Sequence, residues 1–254
     1  MSALDLIPAP NPVGRAHAVW VHARTEAWLL LRNGEQLLLA LIIPLGVLLL
    51  GRFIGSQFIG INALAGSVLA MGVWSTGFTA TAIATGFERR YGVLERFAAT
   101  PLTPTGLVLG KAVSVIMITL AQLVVLGLAA ALLGWRPSPT ISEVGVLLLT
   151  LPLAMISFVS LALLMAGRLR AEITLALANV VHLVIVVCGG LVVPLAAHPA
   201  GLGALVGLLP TAALGEAFRA FADPAAVASG WPVLVSAAWA AATVLLARKA
   251  FRWI

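Results

Sequence analysis

The stretch that decides how this chain is read is Glu88-Arg-Arg-Tyr-Gly-Val-Leu-Glu-Arg96, running on into Phe97-Ala-Ala-Thr-Pro-Leu-Thr-Pro104. Five of its first nine residues are charged, in a chain that is only 9% charged. Long apolar runs flank it on both sides. Charge that dense faces water or a protein partner, because hydrocarbon accepts it only at high cost.

Working outward, 61% of the residues are apolar and the mean hydropathy is +1.10. A soluble globular chain carries roughly 45–50% apolar and about 25% charged residues. Several stretches run about 18–25 residues with few charges, long enough to cross a hydrocarbon core of about 30 Å. The fold class is therefore an all-α polytopic membrane protein; the alternating segments of about ten residues that mark a membrane barrel are absent. The net charge of +6 is scattered over helix ends rather than gathered in a patch, so nucleic acid is not an expected partner. Cys188 is the single cysteine and sits in an apolar run. The first 35 residues hold Arg15, Arg24 and Arg32 but no short apolar core ending in a small-residue site, so no cleavable signal is expected.

Apolar runs read against their breakers predict six spans, near Gln36–Leu50, Ala63–Phe87, Thr105–Gly134, Ser142–Gly167, Ile173–Pro194 and Trp231–Ala247. Residues 1–35 form an N-terminal tail and helix, and residues 36–254 the transmembrane domain. With both termini inside, twelve of the fifteen basic residues fall on the cytoplasmic side, and only Arg52, Arg136 and Arg219 lie outside. The positive-inside bias thus predicts a multi-pass protein of the cytoplasmic (inner) membrane, with the loop 88–104 in the cytoplasm.

Two segments are not expected to span. In His17–Glu35, apolar Val19, Trp20, Ala27, Leu30 and Leu31 alternate with Arg24, Glu26, Arg32 and Glu35, the pattern of an interfacial amphipathic helix anchored by Trp20 and Trp28. The outer segment 195–230 is divided by Pro199, Pro210 and Pro224, and its run Ala200–Leu209 is too short to cross. Pro210-Thr211 opens a second short helix with Glu216 and Arg219 at i,i+3 spacing. A pair of re-entrant half-helices and an exposed amphipathic loop both fit this pattern.

The chemistry of an enzyme does not assemble. His17 and His22 have no acids at ligand spacing, His198 lies in the outer segment, and no set of metal ligands is recognisable. Gly106-Leu-Val-Leu-Gly110-Lys111-Ala112 fails the phosphate-loop pattern and opens a span instead of following a buried strand. Glu88, Glu95 and Glu172 lie at cytoplasmic span ends and Glu143 at an outer one, while ion-driven carriers keep ionisable groups at mid-membrane. Only His182 is placed there. Energy for transport is therefore expected from outside the spans.

Within the spans, Ser75 and Thr79 share a face at i,i+4, and Asn179 and His182 lie at i,i+3. These four are the candidate translocation-pathway residues, with helix–helix hydrogen bonding the alternative for each. Gln122 reads as a packing residue, and the pair Trp74 and Phe78 as packing or dimer contacts.

The 88–104 stretch, continued into Leu109-Gly110-Lys111, resembles the signature of type-2 ABC exporter permeases. In that family an acidic residue, a Gly-Thr/Val-Leu-Glu core, a Thr-Pro-Leu turn and a Gly-Lys follow the second span. The daunorubicin-resistance-type drug permeases are the most similar group, and the likeness extends over the whole chain. Tyr91-Gly92-Val93 departs from the smaller residue and Thr of many members, and polysaccharide-exporting relatives carry a different loop pattern. The resemblance implies a non-enzymatic transport subunit, working as a homo- or heterodimer with a second permease copy or homologue. It implies a separate pair of ABC ATPase subunits that bind ATP and magnesium, and export of a hydrophobic or amphiphilic drug, antibiotic or lipid. An exporter of polysaccharide or glycolipid and an ion-coupled carrier are the alternatives. Transferred by position, Glu88, Arg89, Arg90, Tyr91, Gly92, Glu95, Arg96 and Pro101 become the loop that couples to the ATPase.

Overall fold

The computed structural model describes residues 14–32, 34–55, 57, 59–93, 96, 104–226 and 229–250. Every regular element among them is helical. The order is α1 (Arg15–Arg32), α2 (Gly34–Phe53), α3 (Ile61–Arg90), α4 (Pro104–Leu132), α5 (Ile141–Arg168), α6 (Ala171–Cys188), α7 (Ala200–Val206), α8 (Pro210–Ala222) and α9 (Trp231–Ala250). Four of these, α3, α5, α6 and Leu109–Leu132 of α4, are long and apolar enough to cross a membrane. Leu41–Phe53 of α2 and Trp231–Ala247 of α9 are shorter apolar stretches.

Long-range bonds show how the helices alternate in direction. At one end, Arg52 Nε donates to the Leu133 carbonyl and Trp135 Nε1 to the Ala222 carbonyl. At the other end, which carries Glu88 and is called here the basic end, Arg89 donates to the Ala166 carbonyl. Two helix entries have a clear local cause. The α5 start is a capping box, in which the Thr140 hydroxyl accepts from the Glu143 N–H and the Glu143 carboxylate accepts from the Thr140 N–H. Pro210 opens α8 at a position where its missing N–H has no helical partner to lose.

The central helix is α3. Its most apolar stretch is 78% buried, against 17% for α6, which leans on the basic-end half of α3 and leaves most of its surface free. Residues Ser75–Ala80 of α3 form a π-helical turn that the sequence pattern does not announce. There the Thr81 hydroxyl donates back to the Thr76 carbonyl, and the Thr76 hydroxyl donates to Gln122 Oε1 on α4 at 2.5 Å. Gln122 is thus a helix–helix contact, as its packing reading expected. Trp74 stacks on Phe78 with centroids 4.4 Å apart and meets Phe158 edge-on at 4.9 Å. Trp74 and Phe78 are both buried within the chain, which agrees with their reading as packing residues.

The fifth apolar run ends sooner than expected. Helix α6 stops at Cys188 rather than reaching Pro194, because Gly190 turns the backbone into the left-handed region (φ 75°). Eleven of the thirteen α8 residues are buried, against α3, α5 and α9, so an exposed loop does not describe α8, whereas Leu202 and Leu205 of α7 are exposed. Its Arg219, 3% exposed, is the knot: its guanidinium donates to the carbonyls of Gly190 (2.7 Å) and Leu191 (2.8 Å), to Ser67 Oγ (3.0 Å) and to Glu216 Oε1 (2.8 Å). Glu216 in turn accepts from the Leu195 N–H at 2.9 Å. The carbonyls freed where α6 ends are therefore satisfied by side chains, Gly190 and Leu191 by Arg219 and Gly189 by the Thr211 hydroxyl at 2.8 Å, as backbone in a water-poor interior requires.

Replacing Arg219 with Gln leaves the Glu216 charge and two carbonyls without their donor, a loss of about 2–4 kcal/mol. The thermal unfolding midpoint of the purified protein should fall clearly, and Arg219→Lys should recover only part of it, because an ammonium cannot reproduce the planar fork.

Candidate functional site

Four helix ends converge at the basic end. Residues Glu88, Arg89 and Arg90 finish α3 and, at about 100° per residue, project in three directions. Glu88 accepts from Lys111 Nζ at 2.8 Å; Lys111 begins the apolar part of α4 and is 5% exposed. Lys111 also lies 3.4 Å from Glu26 Oε1 on α1. Arg89 Nη1 donates to the Ala166 carbonyl near the end of α5 at 3.1 Å. Arg90 pairs with Glu172 at the start of α6. That last pair is exposed and adds little stability. The Lys111 pairs are screened from water, and leaving any member unpaired there would be costly.

Helix α1 closes over this junction. Ala23 and Ala27 are buried while Trp20 and Trp28 are exposed, so the amphipathic pattern seats one face on α4. The approach is close: a Cβ at Gly110 would sit 2.5 Å from the His22 ring and 3.3 Å from the Val19 carbonyl. His22 Nε2 lies 3.4 Å from Glu26 Oε1. Burial, with the Lys111 charge second, pushes the His22 imidazole below its ordinary value of 6.5, so near neutrality this contact is between a neutral ring and a carboxylate.

Beyond Arg90 the chain turns outward. Tyr91 is 62% exposed and its ring stacks on Phe87 at 6.0 Å, with the Arg90 guanidinium carbon 5.9 Å from its centroid. Gly92 adopts φ 65° and its N–H donates to the Arg89 carbonyl, turning the chain at the end of α3. The Arg96 N–H reaches the Gly92 carbonyl at 3.3 Å and its side chain is exposed. Glu95 and Pro101 lie outside the described residues. Of the stretch singled out by sequence, Glu88 thus faces inward, Arg89 and Arg90 reach neighbouring helices, and Tyr91 and Arg96 are presented to solvent.

The four candidate pathway residues divide. Thr79 Oγ1 and His182 Nδ1 meet at 3.1 Å, joining the π turn of α3 to α6. Ser75 is half-buried in the same turn. Asn179 is exposed and donates to the Leu175 carbonyl of its own helix at 2.9 Å. Lys111 and Glu26 join this candidate site, though neither is singled out as a site residue by the sequence. One signal for them was available: a lysine set in an apolar helix has to find an acid.

The lowered His22 value carries a pH dependence. Because the unfolded chain takes up a proton on this ring more readily than the fold does, the α1–α4 contact is at full strength above about pH 6.5 and weakens as pH falls from there toward the lowered value. The thermal midpoint measured from pH 8 to 5 should therefore fall more steeply for the parent chain than for His22→Gln. Equal slopes would remove the imidazole from the account.

Charged helix ends thus meet at one end of a bundle of apolar helices and join it to a surface amphipathic helix. The family model described as ABC-2 type transporter matches residues 17–221, from the first turn of α1 through the junction to the end of α8. No curated protein matches the chain. With four-fifths of its length inside that family model, the chain belongs to the ABC-2 type transporter family.

Proposed function

We propose that this chain is the permease subunit of an ATP-driven exporter, carrying hydrophobic or amphiphilic small molecules such as drugs, antibiotics or lipids outward. In this reading α2 and α9 complete six spans, both termini lie in the cytoplasm at the inner membrane, and α7 and α8 form the re-entrant outer pair. Two permease copies or homologues assemble, each with an ABC ATPase subunit docked beneath the basic end. The daunorubicin-resistance-type permeases are the subgroup that the loop pattern favours.

The observation that supports this reading is the division of labour along Glu88–Arg96. The first three residues anchor to α4, α5 and α6, and through Lys111 to α1. The following turn holds exposed Tyr91 and Arg96. A partner that grips the exposed turn moves the anchored end as one body. Glu88 acts as a positioning residue, Tyr91 and Arg96 as contacts, and Glu95 and Pro101 complete the docking loop. Thr79 and His182, with Ser75 and Asn179 nearby on the same two helices, give the substrate path a mildly polar wall.

The ion-coupled carrier remains the second reading, supported by the Thr79–His182 pair within the spans. The two readings separate in reconstitution. Liposomes containing this chain alone should move no substrate under a proton gradient and hydrolyse no ATP, and both activities should appear with the ATPase added. Gradient-driven transport by the permease alone would favour the carrier. The double variant Tyr91→Ala, Arg96→Glu should weaken co-purification of the ATPase by at least about tenfold, the loss of one strong contact, with the permease's own unfolding midpoint unchanged.

A further inference from the structure

An apolar groove of about 520 Å³ opens on the bundle where α6, leaning on α3, and α9, packed on α5, leave a gap between them. Its size falls within the roughly 300–1,000 Å³ of small-ligand sites. Phe78 of α3, Leu164 of α5 and Ile185 of α6 contribute to its walls. Leu209 to Thr211, the entry to α8, close the end nearer the middle of the bundle, and Trp239 of α9 fixes that closure by donating to the Leu208 carbonyl at 2.7 Å. Arg168, the last residue of α5, stands at the basic end and lines the groove with its aliphatic stem.

Two constraints say what fills it. A cavity lined almost wholly by carbon does not hold water, which needs polar partners. In a membrane protein the material beside it is hydrocarbon. At the rim, Arg168 is exposed and has no hydrogen-bond or ion-pair partner among the described residues. Arg170 is exposed next to it, and the neighbouring acid, Glu172, is already held by Arg90. Among the described residues the rim thus presents the exposed cations Arg168 and Arg170 beside a slot for a chain.

We propose that this groove binds an acyl chain of an anionic membrane lipid from the leaflet at the basic end, with the headgroup on Arg168. The lipid seals the gap between α6 and α9 and supports the entry to α8 from below. This inference depends on the membrane location alone and not on the export reading, so each can fail without the other.

The test uses the purified permease without ATPase, titrated in detergent with phosphatidylglycerol and with phosphatidylcholine of the same chains and followed by native mass spectrometry. One phosphatidylglycerol per chain should be retained in preference to phosphatidylcholine. Arg168→Gln should lower the phosphatidylglycerol affinity about fivefold, the scale of one basic side chain near an anionic surface, and leave phosphatidylcholine unchanged. Leu164→Trp, which fills the groove, should abolish retention of both. Equal retention of the two lipids by the parent chain, or parent-like retention by both variants, would overturn the proposal. So would disulfide cross-linking between two copies through Leu164→Cys in a Cys188→Ser background, which would put a second chain in the groove.

Discussion

Consecutive side chains on a helix point about 100° apart, so three charged residues in a row cannot all face the same neighbour. At the end of α3 this simple constraint sends Glu88 to Lys111, Arg89 to the last turn of α5, and Arg90 to the first turn of α6. Lys111 extends the connection to Glu26, so that α1 is joined as well. Five helices thus meet through one short run of charge. The buried ammonium is the demanding member: its desolvation is tolerable only while both carboxylates stay close. Everything around it, from the glycine contact at His22 to the seating of α1, preserves that closeness.

The opposite end of the bundle solves a different problem with the same logic. Helix α6 breaks at Gly189–Gly190 inside a region poor in water, which leaves carbonyls exposed to an interior that cannot hydrate them. Arg219 answers with a planar fork of donors and carries its own counter-ion in Glu216. The two ends are linked by α3, which touches the Arg219 knot through Ser67 and the Lys111 junction through Glu88.

Much of this was legible in the sequence, and the limits have physical causes. Helices could be read from apolar runs and breakers, since length and composition alone decide whether a segment suits hydrocarbon. The amphipathic face of α1 and the Pro210 start of α8 could be read from local patterns. The end of α6 could not be fixed, because a glycine pair permits a break without requiring one; the Arg219 carbonyl contacts decide it. The π turn at Ser75–Ala80 left no trace, since an inserted residue in an apolar, hydroxyl-rich run changes no periodic signal. Lys111 looked like part of a failed phosphate loop, as its partners lie on other helices and one sequence does not reveal distant pairs. The apolar groove is a product of how α6 and α9 diverge, which no run of residues encodes.

In the proposed reading, the Lys111 junction is the place where a partner's motion becomes motion of the bundle, with the exposed turn beyond it as the grip. The most direct measurement is substrate transport by the reconstituted permease and ATPase complex carrying Lys111→Met, an uncharged side chain of similar length. The ATPase should still co-purify, because Tyr91 and Arg96 are untouched, while transport per ATP hydrolysed should fall by at least about tenfold. Parent-level transport per ATP from a folded Lys111→Met complex would contradict this reading.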